Sequence, residues 1–266
     1  MSNSNKLYKP AIPELQYRFR PNLFMWPNRT LFLGSLQELE FHAMGSVAIN
    51  VGLYQPFLMK TMNGAYKAYR CAVIPAGCKH ELNAYGNIVA CLTIEKNSTD
   101  FIDFRKRVPF QASTITNIID TEWIGCFQKI YEEKPSKIEI NLMINQLLNA
   151  DGNAESEVDP RIASIMHTIK LDPENDFSQE YLASSVSLSA SRFRHLFMEH
   201  SDIPFRRYRM WRRIVSAMDT LHKVDNLTYA AMEAGFNDSA HFNRCFRDTF
   251  GVNPSLVFRN IDRFEV

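Results

Sequence analysis

Residues 15–95 carry apolar side chains in short alternating or continuous runs: LFLG at 31–34, SVAINVGL at 46–53, PFLMKTM at 56–62, YRCAVIP at 69–75 and NIVACLTIE at 87–95. Turn-forming residues separate the runs, among them Asn63-Gly64, Pro75-Ala76-Gly77 and Tyr85-Gly86-Asn87. The spacing predicts an antiparallel barrel or sandwich. From about Phe110 the period changes. Ile115, Ile118, Ile119, Trp123 and Phe127 recur at three- and four-residue steps, and after Pro135 so do Ile138, Ile140, Leu142, Met143, Leu147 and Leu148. That pattern predicts helices over 113–130 and 136–149. The acidic, small-residue stretch ADGNAESEVDP at 150–160 has no apolar surface to pack and predicts a linker. Beyond it the periodicity is helical over 161–170, 178–185, 189–199, 204–222, 228–234 and 238–249, with a short turn after Pro254. The expected organisation is two-domain: an all-β barrel with two following helices over 1–150, a linker over 151–160, and an all-α domain over 161–266.

An internal repeat gives the helical part its meaning. LASSVSLSASRFRHLF (182–197) aligns with AAMEAGFNDSAHFNRCF (230–246) if the second turn has one extra residue. Each copy has a short helix with small residues, a turn closed by Leu188 or Phe236, a capping oxygen on Ser189 or Asp238, and aromatics four apart: Phe193 and Phe197, then Phe242 and Phe246. The cap accepts an orphan backbone N–H and sets where the second helix begins, as a helix-turn-helix requires. With 3.6 residues per turn, Phe193, Leu196 and Phe197 point inward in the first copy. Ser191, Arg194, His195 and Met198 then point out, with Arg192 on a flank. In the second copy Phe242, Cys245 and Phe246 point inward, while Ala240, Asn243, Arg244 and Arg247 point out, His241 flanks and Ser239 opens the helix. Arginine can grip guanine O6 and N7 through two bonds, asparagine can grip adenine, and serine or histidine can donate or accept. A single outward arginine is ordinarily just solvated; two such faces at the same phase point to DNA. Ser191, Arg192, Arg194 and His195 are therefore the expected readers of the first motif, and Ser239, Ala240, Asn243, Arg244 and Arg247 those of the second. Between the motifs, residues 204–223 predict one connecting helix with Phe205, Tyr208, Trp211, Ile214, Val215, Met218 and Leu221 on its apolar side.

Charge supports this locally but not globally. The 266 residues carry a formal net charge of only +1, whereas phosphate binding needs a basic surface. Between Arg192 and Arg213, however, seven arginines face only Glu199 and Asp202. Arg206, Arg207 and Arg212 are the expected phosphate contacts, which position a protein on the duplex and make binding salt-dependent without telling bases apart. The composition, 45% hydrophobic and 22% charged, is that of a packed globular protein. Five cysteines, Cys71, Cys78, Cys91, Cys126 and Cys245, show no CxxC spacing, so neither a disulfide framework nor a zinc ribbon is expected. MSNSNKLYKP lacks a signal-peptide core and no run of eighteen apolar residues occurs, which predicts a cytoplasmic protein with no membrane partner.

The helical part also resembles the AraC/XylS transcriptional regulators, whose C-terminal domain has two such motifs joined by a long helix. The resemblance spans roughly 160–259. It is carried in the second motif by Ala234, Gly235, Phe236, Asp238, Phe242, Arg244, Phe246, Arg247, Phe250, Gly251 and Pro254, and in the first by Leu182-Ala183, Ser189, Phe193, Phe197, Pro204 and Tyr208. Asp202 stands where the family usually has glycine, and GVNPSLVFR has one residue more before Arg259 than the family pattern. Aspartate tolerates a left-handed backbone better than most residues. The resemblance implies that one chain enters two successive major grooves of double-stranded DNA, and that RNA polymerase is a partner if the protein activates.

It further implies a cupin-like N-terminal barrel that binds a small effector or mediates dimerisation. IPAGCKHEL (74–82) resembles the second cupin motif through Pro75, Gly77 and His80, while LEFHAMGSVAIN (39–50) matches the first poorly. His42, Tyr54, Tyr69 and His80 are the candidate effector-pocket residues. Period-two alternation puts Glu38, Glu40 and His42 on one face, which keeps open the alternative of a metal-dependent cupin-type enzyme fused to a DNA-binding domain. The leading expectation is a regulator that is not an enzyme, with no cofactor and no metal. Homodimerisation through one of the two helices after the barrel is expected alongside it.

Overall fold

The computed structural model describes residues 20–111, 114–118, 120–148, 158–259 and 261–266. Nine strands come first: β1 (Asn22–Trp26), β2 (Arg29–Ser35), β3 (Glu38–His42), β4 (Val47–Gly52), β5 (Phe57–Thr61), β6 (Lys67–Tyr69), β7 (Cys71–Ile74), β8 (His80–Asn83) and β9 (Ile88–Ile94). Then follow α1 (Thr99–Arg107), β10 (Thr116–Asn117), α2 (Thr121–Glu133) and α3 (Lys137–Leu148). The C-terminal part holds α4 (Pro160–Leu171), α5 (Gln179–Ser185), α6 (Ala190–Ser201), α7 (Phe205–Val224), α8 (Leu227–Glu233), α9 (Ser239–Phe250), α10 (Pro254–Phe258) and a last strand, β11 (Arg263–Glu265). A seven-stranded sheet in the order β10-β7-β4-β9-β2-β1-β11 faces a four-stranded sheet, β3-β8-β5-β6. This is the cupin-like β architecture followed by the helical double motif.

The larger sheet is covered on both faces, which explains its sequence. On one face Leu31, Ile49, Val73 and Leu92 share a core with Phe101 and Phe104 of α1, Trp123 and Phe127 of α2, and Ile140 and Ile144 of α3. On the other, Leu23, Ala48, Ala72 and Val89 share a core with the smaller sheet and with Trp211, Ile214, Met218, Phe242 and Phe246. All six residues of β4 are buried, so VAINVG reads as a continuous run rather than an alternation. A third core joins Ile162, Ile165 and Ile169 of α4 to Phe193 and Phe197 of α6 and to Phe205 and Tyr208 at the start of α7.

Four sequence expectations need correction. Residues 115–118 are not the start of a helix. β10 pairs with β7, Thr116 opposite Val73, and the Ile118 N–H donates to the Cys71 carbonyl at 2.9 Å; the helix starts only at Asp120, whose side chain caps it. The β-branched stretch finds a sheet edge, and tertiary pairing outweighs the apparent helical spacing. Ile119, and residues 151–157 of the expected linker, lie outside the described residues. Helix α1 was not foreseen, although Ser98 caps it by accepting from the Phe101 N–H at 3.2 Å and Asp100 lies in its first turn. Beyond the helices, β11 pairs parallel with β1, Asn22 opposite Arg263, so the chain does not end all-helical. Finally, Glu38, Glu40 and His42 do not share a face. The register of β3 against β8 shifts between Leu39 and His42, a bulge that leaves Glu38 and Glu40 exposed and turns His42 into the interior.

Candidate nucleic-acid interface and effector cavity

The turns of the two helix-turn-helix motifs are closed by the same pair of hydrogen bonds. In the first, the Ser187 N–H donates to Ser184 O and the Leu188 N–H to Ala183 O, at 3.0 and 2.9 Å; in the second, Gly235 donates to Met232 O and Phe236 to Ala231 O, at 2.9 and 3.0 Å. Each partner lies 48 residues after its counterpart. The caps lie 49 apart: Ser189 accepts from the Arg192 N–H at 3.2 Å and Asp238 from the His241 N–H at 2.6 Å. The extra residue is Asn237, inserted between turn and cap. Both turns pass through a left-handed residue, Ser187 (φ 56°) and Gly235 (φ 80°), and both second helices end in one, Asp202 (φ 61°) and Gly251 (φ 72°). Asp202 thus adopts the conformation its place in the motif demands.

With the helices so placed, α6 buries Phe193, Leu196 and Phe197 and exposes Ser191, Arg192, Arg194, His195 and Met198. Helix α9 buries Phe242, Phe246 and Thr249 and exposes Ser239, Ala240 and Arg244, with Asn243, Cys245 and Arg247 half-buried. Each helix therefore presents guanidinium groups on one outward face. The His195 imidazole lies 3.6 Å from the Glu199 carboxylate one turn on. His195 and Met198 also line an open cleft whose far wall is Met62, Asn63 and Lys79 of the barrel. These three barrel residues were invisible to periodicity, since they reach α6 only through the fold.

The arginines of α7 divide by environment. Arg206 is exposed and enters no ion pair among the described residues. Arg207 is exposed as well, although one guanidinium nitrogen donates to the Ala43 carbonyl at 3.2 Å. Arg212 departs from its expected role: it is buried and ion-paired with the equally buried Glu95 of the barrel, so it faces away from any phosphate. Arg209 pairs with Asp176, and Arg213 donates to the Pro173 and Glu174 carbonyls at 3.1 and 3.0 Å, which staples α7 to the loop before α5.

The helical part is seated on the barrel rather than hung from it. The Glu40 N–H donates to Gly251 O and the Ala43 N–H to Asp248 O, each at 3.1 Å. Lys96 reaches Asp202 at 2.8 Å. Between the two lies a cavity of about 80 Å³. Its barrel wall includes Phe32, Leu39, His42 and Asn50, and its helical wall includes Met218, Phe250 and Phe258. Of the expected pocket residues only His42 lines it. Tyr54 points elsewhere, its hydroxyl donating to Glu132 of α2 at 2.7 Å, and Tyr69 stacks on Phe57 with ring centroids 6.4 Å apart. His80 lies behind His42, ring centroids 4.2 Å apart. Burial lowers the His42 pKa to about 3, reinforced by His80, and burial lowers His80 to about 4. Both imidazoles are neutral and donate from Nδ1 to a backbone carbonyl, Glu40 at 2.7 Å and Cys78 at 3.0 Å. Among the described residues no group of three or more His, Cys, Asp or Glu side chains is placed to hold a metal ion, and no helix is long and apolar enough to cross a membrane.

Comparison with known proteins agrees with the double motif. The family described as "Helix-turn-helix domain" matches residues 182–260. The chain is 30% identical over 128 residues to the transcriptional activator RhaS of Escherichia fergusonii, covering 46% of this chain and 43% of that protein. It is 29% identical over 105 residues to the regulatory protein PocR of Salmonella typhimurium, covering 39% and 35%. It thus spans less than half the length of the curated relatives it matches. Among solved structures it is similar to ToxT of Vibrio cholerae, with a TM-score of 0.59 and 11% identity over 88% of this chain and 99% of that one. A ToxT structure bound to an unsaturated fatty acid gives the same TM-score at 12% identity, covering 88% and 96%. At that identity the likeness concerns the fold. With its paired motifs and relatives that are themselves regulators, the matched part of the chain, residues 182–260, is a helix-turn-helix domain of the AraC type.

Proposed function

We propose that this protein is a sequence-specific DNA-binding transcriptional regulator, with α6 and α9 as its reading helices and a small-molecule effector as its signal. The observation that carries the reading is the pair of capped helices with matching outward faces, Arg192, Arg194 and His195 on one and Asn243, Arg244 and Arg247 on the other. Arg206 and Arg207 then supply phosphate contacts that set the register on the duplex. Residues 1–150 act as sensor, 151–160 as linker and 161–266 as the DNA-binding domain. The cavity between barrel and helices supports an effector, as does the fatty acid bound to ToxT, its neighbour in fold. Exposed Ile138 and Leu142, one turn apart on α3, support a homodimer through that helix. The reading implies cytoplasmic action on a promoter, with RNA polymerase as a partner where the outcome is activation.

The test is selection of bound duplexes from a random library by the full-length protein. A shared sequence motif should emerge, and Arg194→Ala and Arg244→Ala should each weaken binding to it by about 1–3 kcal/mol while leaving binding to random DNA nearly unchanged. Equal loss on both kinds of DNA, or no enriched motif, overturns the assignment.

A further inference from the structure

We propose that the cleft between the two helix-turn-helix motifs grips a backbone phosphate of the DNA, and that the Asp176 carboxylate holds the place of that phosphate until the duplex arrives. The proposal rests on the reading of the protein as a DNA-binding regulator and adds to it an anion site with a built-in competitor.

The cleft has a volume of about 400 Å³ and joins elements of both motifs: Gln179 of α5, one face of α7, and His241 on the flank of the reading face of α9. From α7 come Arg206, Arg209, Met210 and Arg213, whose spacing of three, four and seven residues puts them on one stripe of the helix. That stripe carries three guanidinium groups, and Asp176 is the only acid among the described residues lining the cleft. The cleft also adjoins the reading face. Burial raises the Cys245 pKa and Asp248 adds to it, whereas Arg244, Arg206 and Arg213 pull it down. Two arginines of the cleft and the expected base reader Arg244 thus lie near one side chain.

Exposure shows which partner is replaceable. The Arg209 and Arg213 side chains are only 17% and 12% exposed, whereas that of Asp176, which pairs with both, is 84% exposed. The cations are set into the protein and the carboxylate stands in solvent, where it is a weak partner. It also leaves the cations under-neutralised: burial and then the like charge of Arg209 lower the Arg213 pKa, and Asp176 only partly offsets them. A phosphodiester offers two charged oxygens that match a guanidinium fork. Two helices entering successive major grooves leave the phosphate strands between those grooves facing whatever lies between the helices. In this chain the arginine cleft lies there.

The test measures binding of the full-length protein to the selected duplex and to a random one, by fluorescence anisotropy over a series of salt concentrations. Asp176→Asn removes the competing charge and keeps the shape, and should tighten binding to both duplexes about two- to fivefold. Arg209→Gln should weaken both alike and lower the slope of log affinity against log salt by about one. In the double variant the gain from Asp176→Asn should fall to less than half. If Asp176 only staples the loop, its substitution leaves affinity unchanged or lowers it, and the proposal is overturned. It is overturned too if the gain persists undiminished without Arg209, which marks a general effect of removing a negative charge. Should Arg209→Gln not fold, the presence or absence of the Asp176→Asn gain still decides. Calorimetry with inorganic phosphate separates DNA from a free anion: tighter phosphate binding by Asp176→Asn with no change on DNA assigns the cleft to a free phosphate compound and overturns the proposal. An enriched DNA sequence with no gain from Asp176→Asn overturns the proposal alone, whereas a gain on every duplex with no enriched sequence overturns the regulator reading and leaves the phosphate site standing.

Discussion

The two helix-turn-helix motifs share a hydrogen-bond pattern but differ at both of their left-handed residues. The first uses Ser187 and Asp202, the second Gly235 and Gly251. A positive φ alone does not explain the difference, since serine and aspartate adopt it in the first motif. The neighbours explain it. A Cβ on Gly235 would come within 2.8 Å of the Glu174 carbonyl oxygen, and one on Gly251 within 2.7 Å of the Glu40 carbonyl oxygen and the His42 Nδ1. Backbone presses on backbone there, and only glycine leaves room. Ser187 by contrast is exposed, and Asp202 has space to reach Lys96. The second motif is thus fused to the barrel through a shared core and a backbone seam, while the first keeps a core of its own and touches the barrel chiefly through Lys96 and the Gly77–Ile203 contact. Helix α7 spans both, Phe205 and Tyr208 in one core and Trp211 through Met218 in the other.

The largest expected effect breaks the anchorage of α7. Arg212→Ala leaves the Glu95 carboxylate buried and unpaired, and should cost about 3–5 kcal/mol in denaturant unfolding. A loss below about 1 kcal/mol would show that α7 is not locked to the barrel. Next come the glycines. Gly251→Ala and Gly235→Ser should each cost at least about 1–3 kcal/mol from strain, before any clash is relieved, whereas Asp202→Gly should change thermal stability little. Equal effects at Asp202 and Gly251 would erase the distinction between the motifs.

Acid should act selectively on the second seam. The His42 and His80 pKa values lie well below the ordinary value of about 6.5, so between about pH 4 and 6.5 the unfolded chain binds protons that the native protein does not. Their contribution to stability is complete above pH 6.5 and is lost as pH falls toward about 4 for His80 and about 3 for His42, by roughly 1.4 kcal/mol per pH unit for each imidazole. His42→Gln should flatten the dependence of unfolding free energy on pH between 6.5 and 4.5. An unchanged slope would mean that His42 is not buried against Gly251. The smallest effect sharpens the comparison from the other side: Ser187→Gly should raise stability by about 0.5–1 kcal/mol, because the strained residue is exposed and nothing there needs a side chain.

Legibility followed the range of the interactions. Ser189, Asp238, Phe193, Phe197, Phe242 and Phe246 announced both motifs because capping and helical periodicity act within a few residues. The outward faces of α6 and α9 followed by rotation about a helix axis. Glu38 and Glu40 were put on the same face as His42 because a bulge is one residue of slippage and leaves no mark in the composition. Tyr54 and Tyr69 were grouped with it on side-chain type alone, and their partners turned out to be Glu132 and Phe57. Arg212 looked like its neighbours Arg206 and Arg207 because nothing local distinguishes an arginine facing solvent from one facing a carboxylate 117 residues away.

By itself, the sequence determined the apolar runs of β2, β4, β5, β7 and β9, the two capped helices α6 and α9 and the helix between them, since these depend on short-range periodicity, turn chemistry and the capping of orphan N–H groups. Only the tertiary structure decided that β11 closes onto β1, that Arg212 serves the barrel instead of DNA, and that an uncharged cavity lies under α9 and α10. Each of these depends on which distant surfaces meet. That meeting is governed by the burial of apolar faces, which a one-dimensional pattern signals but cannot pair.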